Sequence, residues 1–133
     1  MKILLTGATG LVGQELGLLL VRQGHSLHVL TRNPARHRGM LPFPAKLFAW
    51  DAATAAPPQE AFAGIEAVIH LAGESIASGR WSDERRKSIY DSRVTGTRLL
   101  VEGIREATSR GERISSFLSA SAVGVYGDRG DEE

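Results

Sequence analysis

The chain has 133 residues, with Lys+Arg 16 against Asp+Glu 15, a formal net charge of +1 and no cysteine. That length is enough for one domain with a real core. The balanced charge excludes a nucleic-acid- or membrane-directed field, and the lack of cysteine excludes a disulfide scaffold, a zinc–cysteine site and a cysteine nucleophile. No apolar run approaches the ~18 residues that a membrane span needs. The N-terminus starts as a strand rather than a signal peptide, so a cytoplasmic protein is expected.

Ile3, Leu4 and Leu5 form a short apolar run that leads straight into Gly7-x-x-Gly10-x-x-Gly13. Val12, Leu16, Leu19 and Leu20 then recur at helical spacing, and Gly24 stands where a helix of that length needs its C′ residue. Strand, glycine-rich turn and helix in this order form the entry to a dinucleotide-binding βαβ unit. Residues 26–31 alternate as a second strand, which Arg32-Asn33-Pro34 breaks; a short basic helix or loop follows to Gly39. A third strand is expected over 45–50, a short helix or turn after Pro57-Pro58 to Phe62, and a fourth strand over 66–72. The near-continuous apolar run of that fourth strand suits burial on both faces.

A long helix comes next. Ser82 can cap it, Asp83 and Glu84 suit its positive first turn, and Ile89, Thr97, Leu100, Val101, Ile104 and Ala107 give it a core-facing stripe that ends at Arg110-Gly111. A fifth strand is expected over 114–119. Strands alternating with helical or loop connections predict an α/β domain, a Rossmann-type doubly wound parallel sheet. Five strands are visible, in the order 3-2-1-4-5, with the binding crevice between strands one and four. The usual sheet of this kind has six strands in two halves. Residues 1–133 therefore read as the dinucleotide-binding domain of a longer protein, its C-terminal substrate-binding part lying beyond Glu133.

The glycine loop supplies the candidate pyrophosphate site: Gly7, Thr9, Gly10, Leu11, Val12 and Gly13. Glycines make the turn and let backbone N–H groups at a helix N-terminus approach the phosphates. NAD-selective versions place a carboxylate at the end of the second strand. Here that place reads Thr31-Arg32, and the planar, permanently charged guanidinium of Arg32 matches a 2′-phosphate. NADP is therefore expected rather than NAD, with Thr31 adding a hydroxyl or backbone contact. The alternative for Arg32 is a solvated arginine in a basic loop with Arg36, His37 and Arg38. Asp51, just past the third strand, can accept from the adenine amine or cap a turn. Leu71, Ala72 and Gly73 end the fourth strand at the switch point, where small residues let backbone lie against ribose and pyrophosphate. Arg93 lies four residues from both Ile89 and Thr97, on the sheet-facing stripe, where a guanidinium needs an anion or acceptor. A cofactor phosphate or ribose is one such partner and Glu74 another. His70 is expected to be a hydrogen-bonded core histidine, and no second ligand stands at metal spacing.

Several of these segments together resemble one family. Gly-Ala-Thr-Gly-Leu-Val-Gly13, His70-Leu-Ala-Gly-Glu74, Ser92-Arg-Val-x-Gly-Thr97 and Ser119-Ala-Ser-Ala-Val-Gly-Val-Tyr-Gly127 look like the NAD(P)-dependent epimerase/dehydratase branch of the extended short-chain dehydrogenase/reductases. Leu-Ala-Gly-Glu-Ser-Ile and Arg80-Trp81 are closer to an atypical subgroup called epimerase family proteins. The resemblance covers essentially the whole chain and the N-terminal half or so of such a protein. It implies a Ser or Thr after strand five that positions a substrate hydroxyl or carbonyl, the candidates being Ser121 and then Ser119. It also implies a Tyr-x-x-x-Lys acid/base pair on the next helix, and hydride transfer at the nicotinamide.

Two departures pull against catalysis. Tyr90 is followed four later by Val94 and Tyr126 by Gly130, so the pair is not among these residues and is expected beyond Glu133, where the atypical subgroup often lacks the lysine; and Arg93 stands where many extended members have asparagine. The readings that follow are a nicotinamide-dependent oxidoreductase or epimerase on a small hydroxyl- or carbonyl-bearing substrate, an NADP-binding regulatory or sensing protein, and an inactive fragment. Nucleic acid and membrane partners are not expected; a homo-oligomer is left open.

Overall fold

The computed structural model describes residues 1–71 and 82–120. Its elements are β1 (Lys2–Thr6), α1 (Leu11–Arg22), β2 (Ser26–Thr31), α2 (Pro34–His37), β3 (Lys46–Ala49), a 3₁₀ turn (Gln59–Phe62), β4 (Ala67–His70), α3 (Asp83–Tyr90), a π-helical turn (Asp91–Thr95), α4 (Gly96–Ser109) and β5 (Ser116–Ser119). The strands form one parallel sheet in the order β3-β2-β1-β4-β5. This is the predicted doubly wound architecture, with its order reversing between β1 and β4.

Strand alternation sorts the core into two layers. Leu4, Leu30, Phe48 and Val68 point to one face and pack with Trp50, Phe62, Ile65, Leu100 and Ala107. Ile3, Leu5, Leu27, Val29 and Ala67 point to the other, where Leu16 and Leu20 of α1 and the ring of Phe43 cover them. Burial on both faces explains why β1 reads as an unbroken apolar run. Close helix packing is bought with glycine: a Cβ at Gly17 would lie 2.2 Å from the Phe43 ring, and one at Gly103 would lie 3.0 Å from Phe62.

The boundaries differ from expectation by a residue or two. β3, β4 and β5 are each shorter than the apolar runs that announced them, because pairing stops before the runs do. The long helix is helical from Asp83 to Ser109 but carries a π-helical turn in its middle. At that junction the Thr97 hydroxyl donates to the Arg93 carbonyl four residues back, a side-chain bond that competes with the α-helical ladder. The basic segment after β2 is a short helix, capped by Asn33 Oδ1, which accepts from the Arg36 N–H at 3.1 Å.

Candidate functional site at the carboxyl edge

A parallel sheet brings every strand's carboxyl end to one edge. Thr6 stands level with Leu30 and with His70, Thr31 with Ala49, and His70 with Ser119. Along that edge, from β3 to β5, lie Asp51, Arg32, the glycine loop, Leu71 and Ser119. With strands about 4.8 Å apart, this row of five ends spans roughly 19 Å. Sequence-distant candidates are thus collected into one line, with the loop at its centre.

The three glycines of the loop do different jobs. Gly7 has φ +76°, which an L side chain rarely adopts, so it makes the turn. A Cβ on Gly13 would lie 2.0 Å from the Gly7 carbonyl oxygen and 2.8 Å from Ala8 Cα, so it lets helix and strand meet. Gly10 answers to neither need. Its φ is −78°, and an added Cβ would touch nothing nearer than the Gly7 carbonyl at 3.6 Å. The fold itself tolerates a side chain there, while the space that Cβ would fill lies over the start of α1. Gly10 is also the N-cap and has no side chain to cap with, so the first-turn N–H groups face outward. Leu11 and Val12 flank this spot with side chains 83% and 67% exposed. Thr9, also exposed, turns its carbonyl to Gln14 Nε2 at 2.8 Å. An open, positively polarised backbone cradle fits a pyrophosphate.

Arg32 is exposed just beyond β2, with Arg36 and Arg38 also at the surface of this corner. Thr31 is buried, and its hydroxyl is 2.7 Å from His37 Nδ1 while its carbonyl accepts from the Trp50 N–H. Its side chain is thus engaged within the protein. Asp51 adopts the turn-capping role: Oδ1 accepts from the Ala53 N–H at 3.0 Å, and the residue remains exposed.

At the switch point the Leu71 N–H donates to both the carbonyl and the hydroxyl of Thr6, at 3.2 and 3.1 Å. Arg93 is half-buried with its Nε enclosed, as its place on the inward stripe predicts. Ser119 is exposed at the end of β5. Ala72, Gly73, Glu74 and Ser121 lie outside the described residues.

His70 is the core histidine expected. It is 3% exposed, with one nitrogen 2.6 Å from Thr6 Oγ1 and the other 3.1 Å from Thr97 Oγ1, and burial holds its pKa below the usual histidine value. Sequence reasoning passed over Thr6, and placed Thr97 on the core-facing stripe without a partner. The available signal was a hydroxyl at the end of a buried strand and another on a core-facing helical stripe, both of which need partners. Among the described residues no group of His, Cys, Asp or Glu could hold a metal ion, and no helix is long and apolar enough to cross a membrane.

Comparison with known proteins bears on this edge directly. The model of the NAD dependent epimerase/dehydratase family matches residues 3–133. Epimerase family protein YfhF of Bacillus subtilis is 39% identical over 129 residues, which is 96% of this chain and 39% of that protein. A UDP-glucose 4-epimerase sequence from Klebsiella pneumoniae is 32% identical over 143 residues, covering 97% of this chain and 94% of its own. The crystal structure of human epimerase family protein SDR39U1 with NADPH superposes with a TM-score of 0.70 at 28% identity, over 95% of this chain and 37% of that one. The chain thus spans well under half the length of its Bacillus and human relatives.

Proposed function

The chain belongs to the NAD dependent epimerase/dehydratase family, and we propose that the carboxyl edge of its sheet binds NADP. The observation that carries this is Gly10, a glycine that the fold does not need and a pyrophosphate does. The loop residues Gly7, Thr9, Gly10, Leu11, Val12 and Gly13 hold the phosphates, and Arg32 pairs with the 2′-phosphate in the absence of a carboxylate after β2. Thr31 and Asp51 border the adenosine, Asp51 through the carboxylate oxygen not spent on its turn. Leu71, Ala72 and Gly73 line the ribose, and Arg93 meets a phosphate or ribose from the helical side. NADPH bound to a human relative supports the choice of cofactor.

In this reading, residues 1–133 are the dinucleotide-binding domain of a cytoplasmic oxidoreductase or epimerase that acts on a small hydroxyl- or carbonyl-bearing molecule. The cofactor supplies hydride exchange at its nicotinamide. The protein binds it, orients it along the edge, and presents Ser121 or Ser119 to the substrate oxygen. A second reading, NADP bound without turnover for regulation or sensing, is favoured by one feature of these residues: Arg93 stands where many extended members of the family have asparagine.

Titration of NADPH and NADH by fluorescence tests the cofactor assignment. Arg32→Ala should weaken NADPH by about ten- to a hundredfold, the value of a charge-assisted hydrogen bond, and leave NADH unchanged. Equal binding of both dinucleotides, untouched by Arg32→Ala, overturns the phosphate assignment. Hydride transfer to a panel of small carbonyl compounds, followed by NADPH absorbance, separates the catalytic reading from the sensing one.

A further inference from the structure

A line of hydrogen bonds runs inward from this edge. The Leu71 N–H donates to Thr6 Oγ1 at 3.1 Å, Thr6 Oγ1 lies 2.6 Å from His70 Nδ1, and His70 Nε2 lies 3.1 Å from Thr97 Oγ1. Thr97 Oγ1 in turn donates to the Arg93 carbonyl at 2.5 Å. The last bond fixes the direction of the others. A carbonyl can only accept and a hydroxyl has one proton, so the Thr97 proton goes to Arg93. His70 Nε2 must then carry the proton shared with Thr97. In a neutral imidazole the other nitrogen is an acceptor, and Thr6 donates to it. Burial keeps the ring neutral, since it disfavours the charged form. The ring is also held in plane from the sides, stacked on Phe117 at 6.5 Å between centroids and tilted against Trp50 at 6.4 Å.

Such a line is an unusual use of the sheet's interior. Thr6 and His70 are fully enclosed, and apolar side chains there would bury area without any polar group to satisfy. What apolar contact cannot supply is direction, because it is nondirectional whereas a hydrogen bond is not. The direction supplied here points at one place. β4 and β5 are parallel, so the helical connection between them runs back against the strands. Residues preceding Thr97 therefore rise past the end of β4 toward the crevice, and Arg93 lies one turn before Thr97.

We propose that His70, as the Nε2–H tautomer acting through Thr97, is a positioning residue that fixes the π-helical turn Asp91–Thr95 and so sets where Arg93 meets a bound dinucleotide. The inference rests on the cofactor reading above. The π-helical turn interrupts the α-helical ladder, and the hydrogen bond to its Arg93 carbonyl ties it, through Thr97, His70 and Thr6, to β4 and β1, the two strands that flank the crevice.

The test combines a spectroscopic signature with a mutant cycle. Long-range ¹H–¹⁵N NMR on the imidazole should report Nε2 protonated and Nδ1 bare, without any ligand. Thr97→Val, nearly isosteric, should weaken NADPH binding by about tenfold, and Thr97→Ser should restore it. In an Arg93→Ala background Thr97→Val should cost nothing further, because its effect passes through Arg93. A bare Nε2, or a Thr97→Val loss that is undiminished in the Arg93→Ala background, overturns the proposal and leaves His70 and Thr97 as packing residues. Wild-type protein that binds NADPH with Thr97→Val equally tight sinks the positioning role alone. Wild-type protein that binds neither NADPH nor NADH sinks the cofactor reading and the positioning role with it.

Discussion

The two edges of the sheet differ in what they leave exposed. At the amino edge polar side chains close the protein's own backbone: Glu66 accepts from the Lys2 N–H at 3.0 Å, Glu112 from the Gly64 N–H at 2.8 Å, and the Lys2 ammonium donates to the Ala63 carbonyl at 3.3 Å. At the carboxyl edge Asp51, Asn33 and Gln14 bond to backbone in the same way, but beside them stand a loop glycine with no packing role, exposed Leu11 and Val12, and the exposed cation Arg32. The difference falls where the rule for open α/β sheets puts a ligand, beyond the strand carboxyl ends at the switch point.

That contrast can be broken by substitution. The largest effect is expected at Gly13, where an alanine Cβ would run into the Gly7 carbonyl and Ala8 Cα, both backbone. Gly13→Ala should lower unfolding free energy by about 3 kcal/mol or more in a denaturant titration; a variant of wild-type stability would mean that the loop relaxes freely and that its glycines carry no information. Acid comes next. His28 and His70 both have pKa values held below the usual 6.5, chiefly by burial, with the Ala61 carbonyl partly opposing this at His28. The unfolded chain takes up protons first as pH falls, so stability is full above about pH 6.5 and declines below it until the folded histidines also protonate. Urea titrations between about pH 7.5 and about pH 5.5 should show this slope, and His70→Gln should shrink it. A flat profile contradicts the buried, neutral assignment. The smallest effect belongs to the amino edge. Glu66→Ala should cost less than about 1 kcal/mol of stability and leave dinucleotide affinity untouched.

Much of this was legible in the residues themselves. The strand–turn–helix at 1–22, the apolar run of β4 and the place of Arg32 after β2 are local patterns, and local patterns survive folding. What escaped was set by tertiary contact. The π-helical turn coincides with a threonine hydroxyl bonding back to the Arg93 carbonyl, in a segment whose helical period the sequence otherwise keeps. The pairing of Thr31 with His37, and of Thr6 with His70, joins hydroxyls and rings that only the folded sheet brings within reach. Even the meaning of the glycines changed in the fold: of three identical residues at equal spacing, Gly7 makes a turn, Gly13 a packing contact, and Gly10 answers to neither need.

Gly10 therefore carries the central claim, and one measurement addresses it. NADPH affinity and denaturant stability should be measured side by side for wild type and Gly10→Ala. The backbone there is ordinary, and the added methyl meets only the Gly7 carbonyl at 3.6 Å, so stability should stay within about 1 kcal/mol. NADPH binding should fall by about tenfold or more as the methyl takes the space of the pyrophosphate. Unchanged affinity in a stable Gly10→Ala protein would contradict the account, because the loop glycine that the fold does not require would then have no ligand to explain it.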